Sequence, residues 1–159
     1  MPNPAFRQFV EKWVHPDWRP VPVSTLELDL VEARLETYLP LSYREFMEQL
    51  GPASVGSDLL DEILRQSLDI PSFNEFFSPA NVKSFTRSWR SMGLPEHMVA
   101  FASDGSGDLY CFEVVPESSP VPEDAIVWYF DHEELQIESL DIEFTNWIGL
   151  YAGIRKTAT

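Results

Sequence analysis

The 159-residue chain has one cysteine, Cys111, and three histidines, His15, His97 and His132. One cysteine excludes an internal disulfide and a metal site made of cysteines alone, and fits a reduced, cytoplasmic protein. Zinc held on a helix would need a second histidine four positions after His132, where Gln136 stands. No apolar run approaches the ~18 residues of a membrane span. The opening MPNPAFRQFVEKW lacks a basic segment followed by an apolar stretch and a cleavage site, so no secretory signal is expected. A Gly-x-Ser-x-Gly nucleophile elbow is missing, as are internal repeats and low-complexity tracts. Disorder is excluded in turn, because 44% of the residues are hydrophobic and 13% aromatic. A single domain spanning residues 1–159 is expected.

The absence with the largest consequence is of positive charge. Residues 91–154 contain no Lys or Arg and hold thirteen of the chain's 26 acids, whereas the net charge of the whole is −15. Such a field repels nucleic acid and anionic membrane, and steers basic partners in at raised rates. Excess carboxylate also aids solubility with no partner involved.

What is present reads as helices followed by strands. PNPAFRQFVEKWV places Phe6, Phe9, Val10 and Trp13 on one helical face, and the proline-rich HPDWRPVPV, residues 15–23, is a connector. STLELDLVEARLETYL opens on a capping box, Ser24 with Glu27. LPLSYREFMEQLG shows a second such pattern, Ser42 with Glu45, and Gly51 supplies a left-handed stop. VGSDLLDEILRQSLDIPS is ambiguous, with a short strand expected near residues 68–70. Ser78 and Pro79 start a helix that Gly93 and Pro95 end. The period then becomes extended in HMVAFAS, DLYCFEVV and AIVWYFDHE, and SLDIEFTNWIGLYAGI reads as a closing amphipathic helix. The expected class is α+β, with helices around a mainly antiparallel sheet.

FASDGSGDLYCFEV, residues 101–114, poses the functional question, because Asp104 and Asp108 bracket Gly105, Ser106 and Gly107. A phosphate cradle lacks the third glycine, whose place Tyr110 takes, and the two carboxylates would repel the anion. Calcium suits the alternating oxygens of Asp104, Ser106 and Asp108, but Leu109 and Val115 stand where an EF-hand loop has Gly and Glu. A hairpin turn needs neither ligand: the two glycines take positive φ and the two acids bond local amides. Cys111 in the strand that follows is a small packed residue rather than a nucleophile. DHEE, residues 131–134, ends a strand in solvated charge, and paired carboxylates are too abundant here to single out an acid–base pair.

These segments resemble the SUKH superfamily, which includes the fungal cell-wall-synthesis regulator and many bacterial toxin-immunity proteins. LPLSYREFMEQLG is similar to its Leu-Pro segment with an aromatic and a helix ending in Gly. FASDGSGDLYCFEV resembles its central strand–turn–strand nearly residue for residue. VWYFDHEE and SLDIEFTNWIGL resemble its next strand and closing helix. The resemblance covers about residues 24–151, with no counterpart for HPDWRPVPV and only a loose match from Val55 to Asn81. It implies an α+β fold with a curved mixed sheet, no general enzymatic activity, no cofactor and no metal. Bacterial members are encoded beside toxins, often nucleases, and neutralise them by direct binding; the compact length points to that side.

The expectation is therefore a monomeric, cytoplasmic immunity protein that occludes a basic toxin, with no catalytic residue. Its expected partner-binding carboxylates are Asp104 and Asp108 in the turn, Glu123 and Asp124 in the preceding loop, and Asp131, Glu133 and Glu134 at the strand end. Trp128 and Tyr129 fall on opposite faces of their strand, leaving one as a candidate anchor. An interaction module in signalling or cell-envelope assembly is the alternative, and a metal-dependent enzyme using the Asp-rich turn the remote one.

Overall fold

Phe101 and Phe112 lie face to face on two neighbouring central strands, ring centroids 4.0 Å apart and planes 9° from parallel, and the helices are layered around that stack. The computed structural model describes residues 3–157; Pro2, the first residue of the expected N-terminal helix, and both extremes of the expected 1–159 domain lie outside them. Six α-helices form among the described residues: α1 (Pro4–Trp13), α2 (Thr25–Leu35), α3 (Leu41–Gln49), α4 (Ser57–Arg65), α5 (Pro79–Arg90) and α6 (Phe144–Ala152). Five strands, β1 (Glu75–Phe76), β2 (Met98–Ser103), β3 (Leu109–Glu113), β4 (Ile126–Asp131) and β5 (Gln136–Glu143), make an open sheet in the order β1-β2-β3-β4-β5. Every pairing is antiparallel. The α+β architecture read from the sequence is the one observed. None of the helices is long and apolar enough to cross a membrane.

Helices cover both faces of the central strands, so all six residues of β2 and the first four of β3 are buried. On one face Phe101 meets Tyr43 of α3 and Phe144 and Trp147 of α6, edge to ring, the geometry that aromatic quadrupoles favour. Phe101 itself is the extra residue of a β-bulge, because Ala100 pairs with Cys111 and Ala102 with Tyr110. On the other face α5 sits on β2. Thr86 Oγ1 accepts from the Ala100 amide at 3.0 Å and donates to its carbonyl at 3.4 Å, while Trp89 stands edge-on to Phe130.

Local chemistry accounts for the helix ends. Asn3 accepts from the Ala5 amide at 2.8 Å to start α1, and both halves of the Ser24–Glu27 capping box form at α2. Gly51 has φ +95°, and a Cβ there would fall 2.3 Å from the Val21 carbonyl oxygen; the connector crosses too closely for any other residue. Cys111 is fully buried and burial pushes its thiol pKa up, leaving it unsuited to nucleophilic chemistry.

Three expectations need correction. Residues 68–70 carry no strand; the segment before them is α4, whose Leu59, Glu62 and Ile63 turn inward at helical spacing. Ser42 and Glu45 do not cap α3, which begins two residues earlier than such a cap would set it, at Leu41 after Pro40. The Leu41 and Ser42 amides donate instead to the Pro122 and Glu123 carbonyls at 3.0 and 2.9 Å. Residues 139–143 are strand, not helix: β5 runs to Glu143 and α6 starts at Phe144. Its register slips against β4, with Ile126 opposite Glu143 and Trp128 opposite Ser139, and Asp141 takes φ +55°. That irregularity breaks the alternation that would mark a strand.

The Tyr43 hydroxyl is buried and has no hydrogen-bonding partner among the described residues. Leaving such a group unpaired costs about 1–3 kcal/mol. Tyr43→Phe is expected to keep or raise stability in urea denaturation, and a loss of more than about 1 kcal/mol would reveal a partner for the phenol.

Candidate functional site

Pairing of Leu109 with Phe130 and of Tyr110 with Tyr129 sets the β2–β3 turn, residues 104–108, beside the β4–β5 turn, residues 132–135. Asp104 is the residue on which the first turn closes. Its Oδ1 accepts from the Ser106 amide, the Ser106 hydroxyl and the Asp108 amide, each at 2.9 Å. Only 6% of Asp104 is exposed. Its other oxygen faces the Tyr129 hydroxyl at 2.5 Å, and the same hydroxyl lies 2.7 Å from Asp108 Oδ2. One phenolic proton thus stands between two carboxylates. Asp108 Oδ1 then accepts from the His132 amide at 3.0 Å and meets His132 Nδ1 at 2.5 Å. The chain Asp104–Tyr129–Asp108–His132 ties the two turns together.

The titrations of Tyr129, Asp108 and His132 are moved by this arrangement. Burial pushes the Tyr129 phenol far up, and the two carboxylates it bonds push it further. Burial also pushes Asp108 up, but hydrogen bonds from Tyr129 and His132 and the imidazole's charge outweigh it and hold the carboxyl below its usual 3.8. The hydrogen bond to Asp108 raises His132 above its ordinary 6.5 against partial desolvation, with Glu133 and Asp131 adding to the pull.

The turn's donors and acceptors are already engaged within the fold. The Ser106 and Asp108 amides serve Asp104, and the Gly105 amide donates to Ser72 Oγ at 3.3 Å, which leaves no nest of free amides for a phosphate. Asp108, Asp131 and His132 bring ligand-type atoms within 4.8 Å of one another. Asp108 Oδ1 is bonded to His132, however, and Asp131 Oδ1 accepts from the Glu133 and Glu134 amides at 2.9 and 3.1 Å. Only one of the two glycines uses its conformational freedom: Gly107 has φ +99°, whereas Gly105 is not in the left-handed region, contrary to expectation, because Asp104 already shapes that half of the turn.

The seven acids singled out from the sequence do not gather in one place. Asp104, Asp108, Asp131, Glu133 and Glu134 lie at one end of β4. Glu123 and Asp124 precede its other end, about 20 Å away at ~3.3 Å per residue over six residues. Asp124 is a structural tie: its Oδ1 accepts from Ser42 Oγ at 2.8 Å, from its neighbour Ala125 at 3.0 Å and from the Thr145 amide of α6 at 3.4 Å. Glu123, Glu133 and Glu134 are exposed.

Sequence reading missed three further exposed carboxylates, Glu138, Asp141 and Glu143, because they were assigned to a helix or left unplaced. They line the outer strand of the β4–β5 hairpin, which with Asp131, Glu133 and Glu134 carries six acids and no lysine or arginine between residues 131 and 143. Near the turn of that hairpin opens a shallow cleft of about 250 Å³ walled by Tyr129 and Ile137 and edged by Asp131 and Glu138. Leu135 at the hairpin tip is 48% exposed. Tyr129 and Trp128 are both half-buried; Tyr129 faces this cleft, whereas Trp128 lines a separate hollow with Pro116 and Pro122.

The fold is a helix-wrapped antiparallel sheet whose acidic turns are stapled to each other, and the polar groups of the turn serve the fold. The family model SUKH_6, described as SMI1-KNR4 cell-wall, matches residues 25–148. The chain belongs to the SUKH superfamily. A search of curated proteins found no match.

The Asp108–His132 pair makes stability depend on pH. Because the folded state raises His132, its contribution is complete below pH 6.5 and is lost as pH climbs through the raised value. Because the folded state lowers Asp108, its contribution is complete above 3.8 and is lost as pH falls through the lowered value. The melting temperature is expected to be highest between these limits and to fall as pH rises through the raised His132 value. His132→Gln should flatten that alkaline arm; a variant that declines as steeply as the parent would contradict the assignment.

Proposed function

We propose that this chain is a non-enzymatic immunity protein that neutralises a cognate basic toxin in the cytoplasm by direct binding, acting as a monomer through the acidic β4–β5 hairpin. The observation that carries the reading is the hairpin itself: six carboxylates without one lysine or arginine between residues 131 and 143, beside a cleft with an aromatic wall. A lysine or arginine from the partner fits that cleft, with Tyr129 against its stem or charge and Asp131 and Glu138 at its head. Leu135 offers an apolar contact at the tip. A nuclease toxin must carry a basic surface to hold phosphates, and a carboxylate face laid over that surface blocks it. Opposite fields speed capture, which matters where a single free toxin molecule is harmful. Membership of the SUKH superfamily supports the immunity role.

Of the acids expected from the sequence, Glu133 and Glu134 remain the leading contacts, with Asp131 at the cleft. Asp104 and Asp108 act by holding the hairpin in place. Glu123 lies at the far end of β4, where Asp124 ties the loop to α3 and α6. The description of the family as cell-wall favours one other reading, an interaction module in envelope regulation, which would use the same face on a non-toxic partner.

The test takes the product of the neighbouring gene as partner. It should arrest growth alone, spare growth when co-expressed with this chain, and co-elute with it. A neighbouring product that is harmless, or toxic and unbound, would contradict the immunity role. Within the complex, Glu133→Lys, Glu134→Lys and Glu138→Lys combined should slow association about tenfold or more at low salt and flatten its salt dependence, with thermal unfolding unchanged. Unchanged association would exclude the hairpin as the interface.

A further inference from the structure

Helix α2 carries leucines on two faces. Leu28, Val31 and Leu35 are buried, whereas Leu26 and Leu30, one turn apart, are 67% and 49% exposed. Leu30 borders a groove of about 230 Å³ between α2 and the first half of α5, floored by Val31 and Pro79 and flanked by Ala80, Arg34, Lys83 and, at the start of α2, Glu27. An amphipathic helix normally turns its second face to water with polar side chains; here that face is apolar and bordered by cations.

The charge around the groove runs against the rest of the molecule. Helix α5 holds Lys83, Arg87 and Arg90 and no acid. Arg90 is held by the Met98 carbonyl at 3.0 Å and lies 4.0 Å from Glu96. Arg34, Lys83 and Arg87 have no carboxylate within 4.0 Å among the described residues, and Arg87 donates to the Arg34 carbonyl at 3.1 Å, bringing the two side by side. The acids within α2 already have partners, and of them Glu27 lines the groove. Glu27 accepts from the Ser24 amide and hydroxyl in the capping box, while Asp29 and Glu32 are bound by Arg44 at 2.8 and 2.7 Å. Ser78 opens α5 at the groove, so the positive end of that helix's dipole adds to the same field.

We infer that the α2–α5 groove docks an acidic amphipathic helix of a partner protein, with two aliphatic side chains one turn apart seated on Leu26, Leu30 and Ala80, and with carboxylates on Arg34, Lys83 and Arg87. The recognition mode is helix-in-groove, read by anchors at i and i+4. A second copy of this chain is the poorer occupant, since it brings −15 against −15. The groove lies at the far end of α5 from Trp89, whose ring abuts His132. It therefore works independently of the acidic hairpin, and either site stands if the other fails.

The probe is a capped synthetic peptide of about 15 residues, long enough to form a marginal helix, with leucines at i and i+4 flanked by glutamates. Titrated into the isotope-labelled protein, it should give saturable amide shifts confined to α2 and α5, with a Kd below about 1 mM. A peptide with lysines for the glutamates, or serines for the leucines, should give none. Arg34→Glu with Lys83→Glu, and separately Leu30→Ser, should weaken binding about tenfold or more while the circular dichroism spectrum and melting temperature stay those of the parent. Absent or unsaturable shifts, equal binding of the lysine peptide, or indifference to the charge reversal would overturn the proposal. So would sedimentation showing a concentration-dependent dimer that Leu30→Ser abolishes.

Discussion

Tyr129 places its single hydroxyl between the carboxylates of Asp104 and Asp108, at 2.5 and 2.7 Å, and the joining of the two acidic turns hangs on that contact. Two carboxylates this close repel unless something positive or proton-bearing separates them. The phenol supplies the proton on one side, and His132 supplies charge on the other through Asp108. Partly buried hydrogen bonds of this kind gain because water competes less, and each is costly to lose because its partner is then left unpaired. The acids of the turn are in this sense internal parts. They bring β2–β3 and β4–β5 into one rigid end, from which the exposed acids project.

The aromatic stack beneath gives that end its footing. Tyr110, on β3, donates to the Ser72 carbonyl and stands 3.2 Å from the hydroxyl of Tyr151, which itself donates to the Pro71 carbonyl at 2.8 Å. The segment before β1 is thereby fastened to both the sheet and α6, and Ser72 also receives the Gly105 amide. Packing, turn and hairpin form one continuous arrangement. A charge-bearing edge strand such as β5, with Glu138, Asp141 and Glu143 exposed, also resists pairing with other sheet edges, so the carboxylates that would meet a partner guard the free edge as well.

Much of this was legible in the residues. The stripe of Phe6, Phe9, Val10 and Trp13, the Ser24–Glu27 box and the Ser78–Pro79 start are local signals, each set by neighbours within one helical turn, and each is found as read. β5 was not legible, because its bulge at residues 140–142 destroys the period of two, and residues 139–143 run without a break into the apolar face of α6. Ser42 was misread for a different reason. Its partner, Asp124, is 82 residues away, and no local pattern reports that a distant loop has replaced a capping side chain. The site divides the same way. The turn was visible from its glycines and acids, whereas the tyrosine that closes it sits 21 to 25 residues on and is indistinguishable in sequence from any other strand aromatic.

Amide hydrogen exchange in Tyr129→Phe tests the staple most directly. The phenol's removal leaves the Asp104 and Asp108 carboxylates facing each other, so the amides of Ser106, Asp108 and His132, which donate to those two groups, should exchange at least about tenfold faster, while Phe101 and Phe112 in the core keep their protection. Unchanged protection at all three turn amides would show that the two turns hold together without Tyr129.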